Sequence, residues 1–336
     1  MYVPPRREDL APIETSFTTA EIDERTTEYV SSTTAEQLGL VRNQRSNEGG
    51  WRKAMNRMTG GTVSPPEIQH PDARNTGSST PNRGAYSIAV LSLKGGVGKT
   101  TTTVCLGSMF AANRGDRVIA VDANPDFGTL AQRGPSQTNS TVRDLLEDPE
   151  ITRYSDIRRH TSQSPSRLEI LASERDPAIS EAFSEADYLG VHSILDRFYN
   201  IILTDCGTGL THSAMDGVLA TADAIVLVAS PAIDSARSAL ATLDWLTHHG
   251  HAHLVPDATV VLSSARPGTV SIDIERLKQH FKARVREVIL IPFDDHLAEG
   301  AEISIDLLGR KTRQAFNELT ASVATAMSRP NRPNHR

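Results

Sequence analysis

Along the chain, apolar positions are sparse up to about residue 84 and regularly patterned beyond it. Residues 1–84 hold 11 Leu, Ile, Val and Phe, about 13% of the segment, scattered among Ser, Thr, Pro and charged residues. So little apolar surface cannot offset the entropy of ordering a core, so a disordered polar leader is expected. One island interrupts it: in GGWRKAMNRMTGG, Trp51, Met55 and Met58 fall on one helical face between glycine breaks. It reads either as a short docking helix near 51–58 or as nascent helix in a disordered stretch. The final residues, 329–336, are basic and broken by proline, and a disordered tail is expected there.

Between these ends, residues 85–328 alternate apolar runs with amphipathic stretches. AYSIAVLSL (85–93) has strand length and is followed at once by a glycine-rich loop and a helical pattern over 100–113. RVIAVDAN (117–124), RLEILAS (167–173), NIILTD (200–205), DAIVLVAS (223–230), ATVVLSS (258–264) and EVILIP (287–292) read as buried strands. TVRDLLED (141–148), DYLGVHSILDRFY (187–199), DSARSALATLDWLTHH (234–249), SIDIERLKQHF (271–281) and TRQAFNELTASVATAM (312–327) read as helices. Strand-helix alternation with apolar, β-branched strands predicts an α/β fold, a mostly parallel sheet with helices on both faces, as one domain over 85–328. Ligands of such sheets sit at the carboxyl ends of the strands.

Charge and cysteine content narrow the classes. From residue 85 onward there are 25 basic and 30 acidic residues, an acidic balance that argues against binding DNA through a basic stripe. Cys105 and Cys206 are the only cysteines, and their spacing suggests no zinc site, iron-sulfur cluster or disulfide framework, which fits reducing cytoplasm. Apolar runs such as AIVLVA are far too short to span a bilayer, and the N-terminus lacks a signal-peptide core. In the last helix Ala315, Phe316, Leu319, Val323 and Met327 suit core packing better than membrane-surface binding. THHGHAH (247–253) follows a helix end, where imidazoles complement the dipole, and that reading is favoured over a metal site.

The chemistry gathers at strand ends. In LSLKGGVGKTTTT, Gly95, Gly96 and Gly98 let backbone N–H groups approach phosphate oxygens, and the helix that follows offers its positive end. Lys99 is placed for the β- and γ-phosphates of a nucleotide and the Thr100 hydroxyl for Mg²⁺, with Val97 and Thr101 completing the lining. VIAVDANPDF puts Asp122, Asn124 and Asp126 at a second strand end, and IILTDCGTG puts Asp205 at a third, with Gly207 and Gly209 as backbone donors for a γ-phosphate. One residue is left over. A phosphate loop needs only Lys99, so Lys94 requires another explanation.

The loop departs from G-x-x-x-x-G-K-[ST] at Leu93, where the first glycine would stand, beside Lys94. There, and over about 86–327, the chain resembles the deviant-Walker P-loop ATPases, the MinD/ParA family of the SIMIBI class. The resemblance implies an ATPase that needs ATP and Mg²⁺ and forms a homodimer on ATP, with Lys94 reaching across to the partner's phosphates. Asp205 resembles the acid that holds Mg²⁺ through water, and Asp122 the first acid of switch I, so Thr100, Asp122 and Asp205 are the expected metal residues. The family usually has a second acid two residues later, but this chain has Asn124. An amide can orient water but cannot take its proton, so slow hydrolysis is expected unless Asp126 substitutes. Lys94, Lys99, Asp122, Asn124 and Asp126 form the expected catalytic set. For the base, the family often offers asparagine where this chain has Ser263 and Ser264, and backbone near Pro292 and Phe293 is the substitute; ATP over GTP follows from the resemblance.

Longer strings, GWRK, VDANPDFGTLAQR, DCGTGL, ATLDWL and IPFDDHLAEGAEISIDLLG, are similar to MinD-like ATPases encoded with actinobacterial type VII secretion systems. This implies an ATP-timed dimer that regulates or positions a secretion machine, engaging a protein partner through the leader, cytoplasmic and recruited to the membrane by that partner. The alternative is a ParA-like partitioning ATPase on chromosome or plasmid DNA, which the acidic balance disfavours. A nitrogenase-reductase-like protein would need cluster cysteines, and bacterial tyrosine kinases of this fold carry C-terminal tyrosines, whereas the last here is Tyr199.

Overall fold

A computed structural model describes residues 84–124, 128–174, 183–267 and 273–328, all within the compact unit Ile68–Arg336. The leader with its 51–58 island, Asp126 and the 329–336 tail lie outside these residues.

The strand β1 (Tyr86–Leu91) is apolar but for Ser87, with Ile88 and Val90 facing one side of the sheet and Ala89 and Leu91 the other, all buried. A strand covered on both faces favours apolar residues on both sides, and for that reason the runs show little polar alternation. The further strands are β2 (Val118–Ala123), β3 (Ser162–Gln163), β4 (Glu169–Leu171), β5 (Ile201–Cys206), β6 (Ala224–Ala229), β7 (Thr259–Ser263) and β8 (Glu287–Ile291). They form one sheet in the order β3-β4-β2-β5-β1-β6-β7-β8. All neighbours are parallel except β3, which runs antiparallel to β4 at the edge. From β1 the chain turns to one side to build β2 and β4, and from β5 it crosses β1 to build β6, β7 and β8. Connections that diverge at β1 leave a crevice above its carboxyl end.

Helix α1 (Lys99–Arg114) packs on one face of the sheet, joined by the last helix of the described chain, α9 (Arg310–Met327), through buried Phe316, Leu319 and Val323. Gly107 lets α1 approach closely, since a Cβ there would stand 2.8 Å from Leu168 Cδ1. The other face carries α4 (Glu185–Leu195), α5 (Ser213–Thr221), α6 (Ile233–His248) and α7 (Ile274–Lys282). Short helices α2 (Val142–Glu147), α3 (Tyr154–Ile157) and α8 (Asp295–Ala298) fill connections. The expected strands are all present. Strand β3 and helix α5 were not anticipated; Gly217 in the middle of α5 weakens its helical signal but lets it approach α4, a Cβ there lying 3.1 Å from the Glu185 carbonyl.

Candidate nucleotide site

The chain leaves β1 through a loop that turns back on itself, with Gly96 and Gly98 at φ 73° and 92°, a region costly for residues with a Cβ. Gly98 is the N-cap of α1 and supplies no side-chain acceptor. The first-turn N–H groups of α1 therefore remain available to an anion at the mouth of the crevice.

Lys99, the first residue of α1, is buried beneath this turn and donates to Asp205 Oδ1 at 2.7 Å. Thr100 Oγ1 donates to Asp205 Oδ2 at 2.6 Å, and Thr103, one helical turn beyond Lys99, reaches Oδ1 at 3.4 Å. Sheet register places a second acid alongside, because Asp122 on β2 stands opposite Asp205 on β5. Asp122 accepts the Asn124 N–H at 3.1 Å and the Leu130 N–H at 3.0 Å. Burial, and then the Asp205 charge, raise its pKa from 3.8 to about 7, against the pull of those two N–H groups and Lys99.

Thr100, Asp122 and Asp205 thus offer hard oxygen donors in one place, the chemistry Mg²⁺ prefers. Among the described residues no group of three or more His, Cys, Asp or Glu could hold a metal alone. An ion here would complete its shell with water and phosphate oxygens, as Mg²⁺ commonly does.

Of the residues expected beside the base, Ser263 reaches the loop. Ser263, at the end of β7, has its Oγ 3.0 Å from where a Cβ on Gly98 would lie. Ser264 N–H donates to the Ile291 carbonyl at 3.0 Å, tying the ends of β7 and β8 and bringing half-buried Pro292 and Phe293 beside them. Gly209 is exposed and Gly207 buried just beyond β5.

Lys94 goes elsewhere. Its ammonium pairs with Asp234 in the first turn of α6, with the two side chains 45% and 68% exposed. Exposed Leu93 and Ile233 flank the pair. Asp234 was not legible in the sequence, since 140 positions separate it from Lys94. Thr103 could have been found, as the fourth residue on from Lys99 in a helix. At the far end of α6, His249 stacks on Trp245 at 4.3 Å, and His248 and His249 bond the Asp244 and Trp245 carbonyls at 2.7 and 2.8 Å, the helix-end role expected of them.

Residues 88–305 match the CbiA family, described as the CobQ/CobB/MinD/ParA nucleotide binding domain. The chain belongs to this family. Within the CbiA family it is 39% identical over 291 residues to the ESX-1 secretion-associated protein EspI of Mycobacterium tuberculosis, a match covering 85% of this chain. It spans 43% of the length of EspI. Its fold is similar to that of the septum site-determining protein MinD of Pyrococcus horikoshii complexed with Mg-ADP, with a TM-score of 0.58 and 25% identity, covering 73% of this chain and 98% of that one. A ParA family ATPase of Chlorobium tepidum, at TM-score 0.60 and 17% identity over 71% of this chain and 98% of its own, shares the fold alone. No helix among the described residues is long and apolar enough to cross a membrane.

Proposed function

We propose that this chain is an ATP-dependent dimerisation switch: it binds Mg-ATP, pairs with a second copy, hydrolyses the nucleotide slowly and so times the action of a partner machine. The buried Lys99–Asp205 pair at the mouth of β1 carries the reading. Two buried charges hold each other in a crevice whose helix end favours anions, so an arriving triphosphate can take Lys99 from Asp205. Asp205 and Thr100 are then released toward the metal. Mg²⁺, when bound, would offset charge on the β- and γ-phosphates.

Lys94 supplies the link to oligomeric state. In the isolated protomer it is held by Asp234 at the rim, where it can swing to a second copy's triphosphate. Without that anion, two such lysines would bring like charges together. Similarity to EspI, whose name ties that protein to ESX-1 secretion, supports a type VII secretion system as the machine, with cytoplasmic action and contact through the N-terminal leader.

The deciding measurement is mass in solution by light scattering, with and without Mg²⁺ and a non-hydrolysable ATP analogue. The wild type is expected to double in mass with the analogue, and Lys94→Ala to stay single while still binding it. A wild type that stays single under saturating analogue removes the switch.

A further inference from the structure

Hydrolysis at this site releases a proton, and Asp126, the substitute acceptor expected from the sequence, lies outside the described residues. Asn124 cannot take it, because an amide has no basic oxygen at neutral pH. Asp205 is occupied by Lys99, Thr100 and Thr103, and both oxygens of Asp122 accept backbone N–H groups. The neighbouring strand offers a third carboxylate. Strands β2 and β4 pair in parallel up to Val121 opposite Leu171, and the chain runs on from these ends to Asn124 and to Glu174.

A shared pocket brings the two together. Asp122, Asn124, Ser173, Glu174 and Arg143 line one pocket at these strand ends. Thr141, the N-cap of α2, bonds Glu174 Oε2 at 3.4 Å and holds that side of the pocket. Arg143 on α2 brings a buried Nε that has no hydrogen-bond partner. A buried donor without an acceptor in the protein marks a place where a water or a phosphate oxygen would be bound.

We propose that Glu174 accepts the proton of the attacking water, while the Asn124 amide orients that water. The water oxygen bonds to the γ-phosphorus, and the bond from that phosphorus to the β,γ-bridging oxygen breaks, its electron pair leaving on ADP. The water proton passes to the Glu174 carboxylate and from there to solvent. This assignment rests on the ATPase reading above and divides between two residues a task that one carboxylate at position 124 could perform alone.

Single-turnover hydrolysis with enzyme in excess over Mg-ATP tests it, beside equilibrium binding of the ATP analogue. Glu174→Gln keeps shape and hydrogen bonding but loses basicity, and is expected to slow hydrolysis about 10²-fold, the lower end of general-base effects. Its analogue affinity should stay within about twofold of wild type, since the change removes no phosphate contact. Adding Asn124→Asp to Glu174→Gln is expected to restore most of the rate by returning a carboxylate to the pocket. Glu174→Gln with wild-type turnover, or a double variant as slow as Glu174→Gln, overturns the assignment and leaves the ATPase reading standing. A wild type that binds the analogue but never hydrolyses ATP overturns both.

Discussion

Burial and the facing Asp205 charge hold the Asp122 carboxyl at about 7, even though two backbone N–H groups bond it. Its ordinary value is 3.8, so between these two values the folded protein keeps a proton on Asp122 that the unfolded chain has lost. Stability from this group is complete below 3.8 and declines as pH rises through 7. The expected result is a nucleotide-free protein whose melting temperature, measured without Mg²⁺, falls from pH 5 to pH 8. In Asp122→Asn that fall should flatten, because the amide carries no proton to lose, and an equal slope in the two proteins would assign the dependence to other groups. Much of this site's layout could be read from the sequence because the loop is contiguous: Gly95 to Thr101 lie in one string, with the strand before and the helix after it. Asp205 and Asp122 were legible as polar residues ending apolar strands. Asp234 and Glu174 were not, since each acquires its place through a neighbour distant in sequence, Lys94 across 140 positions and Asn124 through a shared pocket.

At the scale of elements, the strands were legible because a sheet covered on both faces favours apolar residues on both, which leaves runs such as AIVLVA and VIAV unmistakable. Helix α5 was obscured by the glycine that lets it lie close to α4, so the feature needed for packing weakened the signal for the helix. Helix α1 has the same device without losing its pattern, its length and many buried positions outweighing Gly107. The glycine sets how close α1 lies to the sheet, and α1 carries Lys99, Thr100 and Thr103 toward Asp205. Gly107→Val would press two γ-methyls against Leu168 and Leu203, already 2.8 and 3.4 Å from a Cβ at that position. A loss of about 1–3 kcal/mol is expected from the urea midpoint, the usual range for overpacking. Nucleotide affinity should fall with it, since a displaced α1 moves Lys99. Lost stability with unchanged affinity would show that the phosphate loop tolerates movement of its helix.

For the whole molecule, the proposed switch raises the question of what would keep a lone protomer from offering Lys94 to another copy too early. Lys94 is held within its own chain by Asp234, whose carboxyl the lysine hydrogen bond keeps below its usual range. Both side chains are largely in water, so the pair is weak and screened by salt, and a triphosphate, with several negative charges beside the N-terminus of α1, can outcompete it. A strong latch would block the proposed dimer, and no latch would leave Lys94 available to any anion. Asp234→Ala should therefore raise the dimer fraction at limiting ATP analogue by roughly severalfold, the scale on which exposed ion pairs act. Raising ionic strength should narrow the gap, because salt weakens the wild-type pair and has none to weaken in the variant. Combined with Lys94→Ala the gain should vanish, as there is no longer a lysine to release. An Asp234→Ala protein that dimerises less readily than wild type would mean that Asp234 supports the dimer, and its contact with Lys94 would then be a stage in assembly.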